Sequence, residues 1–482
     1  MEIPKEVKNI IQKLEKNGFE AYVVGGCVRD LLLGLEPNDW DIATSAKPEE
    51  MKELFSDSYY ENQFLTVTVL TKSKHVSLKE IEVTTFRSEA KYSDKRHPDE
   101  VRAAGSLKED LARRDFTINA VALKIQNSEF AIIDPFEGRE DIERKIIRAV
   151  GKAEERFGED ALRLMRAIRL ASVLNFKIEK ETFEAIKKNA GWLQVIAKER
   201  IREELVKMIM SDRPAEGIEL LREAELLKYI IPELEKGVGV SQNRHHIYTV
   251  YEHCLHSLKF AAEKKFNLEV RLAALLHDIA KPQAKAGEGP DSTFYNHDFL
   301  SAKFAARILE RLRFSNNQIE KICLLIRNHM FVYEVGVVTE AAVRRLLRRV
   351  GPENMKDLIN VRVADRLGSG VPKAQPYRLR HFQYMVEKVQ HDPISAKMLK
   401  VDGNDLMGIL KIEPGPKIGA ILDVLLAEVI EDPEKNKKEC LEKRVLELAN
   451  EDLVELRKMA KGKIEEKKEE EDTQIKGKYW VK

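Results

Sequence analysis

Apolar residues recur at two different periods along this chain, and the change between them divides it. Near the start, Val7, Ile10, Ile11 and Leu14 stand at helical spacing among charged residues. That spacing predicts an amphipathic helix over 4–17, closed by Gly18. Short apolar or β-branched runs follow at 21–24, 39–42, 66–71 and 81–86, and each predicts a strand. A helix is predicted to start over 30–33, between the first two strands. Beyond about residue 134 almost every segment has helical periodicity. The pattern predicts a mixed α/β part over 1–145 and all-helical parts over 146–236, 237–375 and 376–482. Gly237 and Gly239 mark the second break, and a weaker one lies at 368–376. The Lys/Glu-rich end is either a solvated helix or a disordered tail. No repeat of fixed period occurs.

The chain has 482 residues, which favours several domains. Lys+Arg number 82 and Asp+Glu 81, so net charge neither announces nor excludes a nucleic-acid partner. The four cysteines lie far apart and form no Cys-x-x-Cys pair, which argues against a zinc ribbon or redox dithiol. Free thiols suit a reducing cytosol. The N-terminal stretch is charged and amphipathic, unlike a signal peptide, and no apolar run reaches membrane-spanning length. The expectation is a soluble, cytoplasmic protein.

Chemistry concentrates in "VVGGCVRDLLLGLEPNDWDIAT", residues 23–44. Asp39 and Asp41, two apart on a strand, project from the same face. Their carboxylates would stand roughly 6–7 Å apart, a span that a divalent cation can bridge. Gly25 and Gly26 let the backbone approach a phosphate, and Arg29 adds a fixed cation. A Gly-Gly turn or an Asp-x-Asp pair alone is commonplace. Both together, each after an apparent strand, point to a metal-dependent nucleotide site.

This stretch resembles the first motif of the nucleotidyltransferase superfamily, in the form carried by bacterial-type (class II) CCA tRNA nucleotidyltransferases and poly(A) polymerases. "RRDFTINAVA" (113–122) resembles the second motif, "DPFEGREDIERKIIRAVG" (134–151) the segment after it, "EDALRLMRAIRLA" (159–171) the nucleotide-selecting motif, and "KERIREEL" (198–205) the neck motif. The resemblance covers roughly residues 5–230. It implies an α+β fold: a polymerase β-like nucleotidyltransferase head followed by an all-helical neck, a helical body and a helical tail. It implies that Asp39 and Asp41 are catalytic and hold Mg²⁺, that ATP and CTP are the substrates, and that tRNA is the partner. Gly26, Arg29 and Arg114 would contact nucleotide, and Asp115 would organise the site or make a stabilising salt bridge, as would Arg113.

Asp160, Arg163, Arg166 and Arg169 recur every three residues, predicting one slowly turning helix face. A carboxylate accepts from an exocyclic amine and an arginine donates to a ring acceptor. One Asp-Arg pair can thus accept cytosine and adenine and reject uracil and guanine. By resemblance that pair is Asp160 and Arg163, with Arg166 and Arg169 facing the triphosphate or bracing the pair. Glu82, in "EIEVTTF", is either a third carboxylate of the metal site or an outward strand residue. "RSEAKYSDKRHPDEV" (87–101) lacks helix or strand periodicity and resembles the loop used in switching from C to A addition. Leu65, Ala104 and the sequence Arg169-Leu170-Ala171 depart from the family pattern without removing a proposed catalytic group.

The second half carries "LLHDIAKP" (275–282), with His245, His246, His253 and His256 upstream and His297, His329 and Asp365 downstream. This resembles an HD domain, whose metal ligands would be His253, His277, Asp278 and Asp365. Such ligands suit several divalent metals. "RRLLRRV" (344–350) is either a phosphate-binding helix or a solvated face, and 401–422 resembles the family's tRNA-contacting tail. The reading is a tRNA CCA-adding nucleotidyltransferase. An A-adding enzyme, a poly(A) polymerase and an HD phosphohydrolase with a vestigial head are the alternatives.

Overall fold

The computed structural model describes residues 2–61, 65–90, 100–126, 129–243, 247–370, 376–390 and 399–481. They form two compact units. The first contains 1–329 and 360–371, the second 330–359 and 372–482.

The first unit opens with helix α1 (Lys5–Lys16), whose Val7, Ile10, Ile11 and Leu14 are buried as their spacing predicts. Strand β1 (Ala21–Val24) follows, then helix α2 (Gly26–Leu32). This helix starts directly after Gly25 rather than at 30–33, because Gly25 turns the chain at φ +84°, a conformation glycine adopts freely. Strands β2 (Asp41–Thr44), β3 (Ser58–Glu61), β4 (Thr66–Leu70), β5 (Glu80–Thr85), β6 (Ala122–Gln126) and β7 (Glu129–Ile133) complete a mixed sheet of order β3-β4-β5-β2-β1-β6-β7. Strand β2 starts at Asp41, two residues later than the sequence predicts. Asp39 therefore stands in the turn ahead of it.

Strands β2 and β5 pair in parallel, placing Asp41 beside Glu82. A parallel pair needs a long crossover. The helix Pro48–Leu54 and the β3-β4 hairpin supply it. One sheet face buries Val23, Ile42, Val67, Ile81 and Val83 with α1. The other buries Tyr22, Val24, Ala43 and Phe86 with Leu107 and Leu111. The central strands are buried on both faces, which explains their near-continuous apolar sequence.

The segment 87–101, expected to lack regular structure, has paired flanks: Arg87–Ala90 and Glu100–Ala103 form an antiparallel hairpin. Residues 91–99 lie outside the described ones. Beyond the sheet the unit is helical, apart from a short parallel pair, Ile146–Ile147 with Lys177–Ile178. Its site-bearing helices are α3 (Ala153–Glu159), α4 (Leu162–Leu174), α5 (Lys198–Ile209), α6 (Val250–Glu263), α7 (Leu268–Leu276), α8 (His297–Arg311), α9 (Asn316–Asn328) and the later part of α10 (Pro352–Gly368). The second unit is helical and buries Leu406, Ile421, Leu425, Val445 and Leu456. The Lys/Glu-rich end belongs to a helix, Leu453–Tyr479. No helix of the described residues is long and apolar enough to cross a membrane.

A carboxylate brace locks the sheet to the helices. Asp134 accepts from the Gly138 and Arg139 amides, both at 2.8 Å. Asp141 accepts from Thr117 Oγ1 at 2.5 Å and Arg148 Nε at 2.9 Å. A Cβ on Gly138 would meet the Thr117 carbonyl oxygen at 2.1 Å. Gly138→Ala is expected to destabilise the chain by about 2 kcal/mol or more, seen as a lower urea midpoint without a change of slope.

Candidate active site

The parallel β2-β5 pairing brings Asp41 and Glu82 together, since residues opposite one another on one sheet face are close enough to interact. Asp39, Asp41 and Glu82 line the same cleft, of about 1060 Å³. Burial, reinforced by Asp39 and Glu82 and opposed by Arg114, pushes the Asp41 carboxyl up to about 7. Clustered carboxylates of this kind are stabilised by a cation, and an all-oxygen donor set suits a hard one such as Mg²⁺. Glu82 thereby stands beside Asp41 on an exposed wall of the cleft.

Gly25 admits a close approach that a side chain would block. A Cβ there would stand 2.8 Å from Arg114 Nη1 and 3.1 Å from Asp41 Oδ2. Gly26 begins α2, and both glycines line the cleft with Arg29 and Arg114. Arg29 is fixed by Asp30, at 2.7 Å and 2.9 Å, and donates to Asn119 Oδ1 at 2.8 Å. Asp110, which the motif reading passed over, is buried and gathers both neighbouring arginines. Arg113 binds its Oδ1 at 2.8 Å and Arg114 its Oδ2 at 3.2 Å. Its position three and four residues before the pair was a visible signal.

Asp115 is a hub. Its Oδ1 accepts from the Phe116 amide at 2.9 Å and from Asn119 Nδ2 at 3.0 Å. Its Oδ2 accepts from Arg166 Nε at 2.8 Å and Nη2 at 2.6 Å. Burial alone would raise this carboxyl, but Arg166, Asn119 and Arg163 outweigh it and hold the group well below the usual carboxylate range. Asp115 thus makes a salt bridge to Arg166, and Arg166 also lines the cleft.

Asp160 is not on the helix with the three arginines. It lies between α3 and α4, where its Oδ1 accepts from the Leu162 amide at 3.0 Å. A carboxylate is favoured at a helix start for this reason. Arg200, on α5, forks onto it with contacts of 2.7 Å and 3.3 Å. Arg163 binds Glu159 at 2.6 Å and the Arg113 carbonyl at 3.1 Å. Arg169 binds Glu204 at 2.5 Å. Asp160, Arg163, Arg166, Arg169 and Arg200 all line the carboxylate cleft. Arg200 lies in the neck motif "KERIREEL", but its partner, forty residues earlier, gave no local sign.

A second cluster is built where helices α6 to α10 converge. His253 (α6), His277 and Asp278 (after α7) and Asp365 (α10) are buried. His253 Nε2 stands 3.0 Å from His277 Nε2, 3.2 Å from Asp278 Oδ2 and 3.3 Å from Asp365 Oδ1. All four predicted ligands thus meet. Lys281 pairs with Asp278 at 2.6 Å, and Arg362 pairs with Asp365. His297 and His329, left unassigned by the motif, join on the Asp278 Oδ1 side at 3.3 Å and 3.8 Å. His256 does not join and packs against Tyr248 instead, ring centroids 4.2 Å apart. His245 and His246 lie outside the described residues.

Three segments match described families: the poly A polymerase head domain over 21–148, the probable RNA and SrmB-binding site of polymerase A over 175–237, and a putative tRNA nucleotidyltransferase domain 2 over 296–445. The CCA-adding enzyme of Ligilactobacillus salivarius (strain UCC118) is 35% identical over 462 residues, 92% of this chain and 99% of that protein. That of Enterococcus faecalis (strain ATCC 700802 / V583) is 35% identical over 448 residues, 91% and 94% respectively. The solved structure of the Bacillus stearothermophilus CCA-adding enzyme in complex with CTP is 30% identical. It covers 92% of this chain and 98% of that one at a TM-score of 0.59.

Asp115→Asn is expected to cost about 1–3 kcal/mol at neutral pH, since it takes the carboxylate partner from the half-buried Arg166. The wild-type carboxylate is depressed, so its contribution is present above the unfolded-state carboxylate range and is lost as pH falls below it. The stability gap between variant and wild type should therefore narrow in acid, as measured by urea unfolding from pH 7 down to pH 3.

Proposed function

The chain belongs to the family of CCA-adding enzymes, and from that premise we propose that it builds the CCA end of tRNA from CTP and ATP without a template, releasing pyrophosphate at each addition. The observation that carries the reading is that Asp39, Asp41 and Glu82 share one cleft with Asp160 and Arg163.

Asp39 and Asp41, with Glu82 beside them, would hold a Mg²⁺ ion, which would supply activation of the tRNA 3′-hydroxyl and neutralisation of phosphate charge. The hydroxyl attacks the α-phosphorus in line, and the bond to the β-phosphate oxygen breaks. The Gly25-Gly26 turn leaves room for the triphosphate, and Arg29 and Arg114 orient it. Asp160 accepts from the exocyclic amine shared by cytosine and adenine, and Arg163 donates to the ring acceptor beside it. Arg166, held by Asp115, and Arg169, held by Glu204, brace α4 so that the reading pair stays aligned. The four-part division at 145, 236 and 375 belongs to this reading: head, neck, HD-type body and tRNA-binding tail, acting in the cytoplasm.

The buried His-Asp cluster supports a second centre. We propose that His253, His277, Asp278 and Asp365 hold a divalent metal there, separate from the polymerising cleft.

The test is extension of tRNA transcripts ending before the CCA, after one C, and after both C's, each with CTP, ATP or both. Completion of the bare transcript is expected. Extension only of the transcript ending in CC would replace the reading with A addition. Asp39→Ala and Asp41→Ala should each lower incorporation roughly a thousandfold or more, about 4 kcal/mol of barrier. Asp160→Ala should raise UTP and GTP incorporation relative to CTP and ATP in the same assay.

A further inference from the structure

Strands β3, β4 and β5 each bury one face and leave the other open. Tyr60, Val67, Val69, Ile81 and Val83 pack into the core with α1. Among the described residues, the second core over Tyr22, Val24 and Ala43 reaches β2 and draws no residue from the opposite face of β3, β4 or β5. On that open face the strand register lines up a row. Asp41 lies opposite Glu82, Glu82 opposite Thr68, and Thr68 opposite Tyr59. Residues opposite one another in a sheet project from the same face, and all four line the cleft.

The row ends in an open aromatic ring. Neighbouring strands lie about 4.8 Å apart, so the backbone at Tyr59 stands about 10 Å beyond that at Glu82. Tyr59 is 42% exposed, and its hydroxyl reaches Glu80 Oε2 only at 3.5 Å, a long contact for a hydroxyl donor. Thr68 is buried, so the row presents the ring at one end and the carboxylates at the other. Val76, also strongly exposed, lines the cleft as well. In a cleft otherwise rich in charge, this ring offers a flat apolar surface.

The sheet order fixes which reactant meets that ring. Gly25 follows Val24, which faces Asp41 from β1, whereas Glu82 faces Asp41 from β5 on the other side. With the triphosphate at the Gly25-Gly26 turn, pyrophosphate leaves on the β1 side. In-line displacement brings the attacking oxygen from the side opposite the leaving group. The RNA 3′-hydroxyl then enters over Glu82, and the nucleotides behind it lie over Thr68 and Tyr59. Glu80 and Glu82 are exposed on this wall and repel phosphates, so the strand turns its bases, not its backbone, towards the sheet. Every base has a π-face, and an aromatic side chain stacks on it whatever the base.

We propose that Tyr59 is the stacking platform for the 3′ end of the RNA acceptor strand, holding its terminal or preceding base while the hydroxyl is presented to the carboxylates. The inference rests on the proposed CCA addition and says where the growing end, not the incoming nucleotide, is held. A platform blind to base identity suits an end whose last base changes with each addition.

The test compares the full wild-type chain with Tyr59→Ala and Tyr59→Phe on transcripts ending before the CCA, after one C and after both C's. Loss of one base-aromatic stack should raise the KM for RNA about tenfold in Tyr59→Ala, with the KM for CTP at its wild-type value. Tyr59→Phe, which keeps the ring, should restore the KM for RNA. The last two nucleotides of the transcript are also made abasic one at a time. One of these changes should raise the wild-type KM by a similar factor and add nothing further in Tyr59→Ala. An unchanged KM for RNA in Tyr59→Ala, with extension intact, would overturn the platform and leave the CCA-adding reading standing. A rise in Tyr59→Phe equal to that in Tyr59→Ala would assign the effect to the hydroxyl and overturn stacking. Equal rises for RNA and CTP would show a disturbed cleft and overturn the placement of Tyr59 on the RNA side. If the wild type extends no transcript, the proposed function fails and the platform with it.

Discussion

A carboxylate removed from water must be paired and hydrogen-bonded on every side, and Asp115 meets that demand by drawing in groups from three parts of the chain. Asn119 reaches it from the adjoining turn and passes the connection to Arg29 at the start of α2. Arg166 reaches it from α4, fifty-one residues further on. Because both oxygens are taken, neither partner can move without exposing a buried charge. The α2 side of the cleft and the α4 side are therefore fixed relative to each other. A template-independent enzyme needs that rigidity, because the protein alone supplies the surface against which a base is judged.

The pair proposed to read the base shows the same constraint on a smaller scale. Asp160 and Arg163 are positioned independently. Arg200 of α5 forks onto Asp160, and Glu159 with the Arg113 carbonyl fixes Arg163. Each side chain is oriented before a nucleotide arrives, so little rotamer freedom is left to lose on binding. The His-Asp cluster uses backbone carbonyls for the same purpose, three histidines each tied to the carbonyl three residues earlier. The two centres share this logic but not their chemistry: oxygen donors in an open cleft, and imidazoles in a buried one.

Much of this was legible in the chain. The amphipathic face of α1, the four strands read from apolar runs and the passage to all-helical structure follow from short-range periodicity, which side-chain burial dictates directly. Asp39, Asp41, Gly25 and the His-Asp doublet were also readable, because the chemistry packs them into a few consecutive residues. Boundaries were less secure. The second strand begins at Asp41 rather than Asp39, and α2 begins at Gly26 because the φ of Gly25 turns the chain there.

What periodicity could not show were partnerships across long separations. Glu82 joins Asp41 only because β2 and β5 pair in parallel, a register set by the crossover between them. Arg200 reaches Asp160, Arg166 reaches Asp115, and His297 and His329 face Asp278 only once helices distant in sequence have packed. The sequence by itself determined the local elements and the kind of chemistry each motif carries, because those depend on neighbours within a turn or a strand. Only the tertiary structure decided which charges meet, because a buried charge is stabilised by whichever partner the packing brings to it, however far away along the chain.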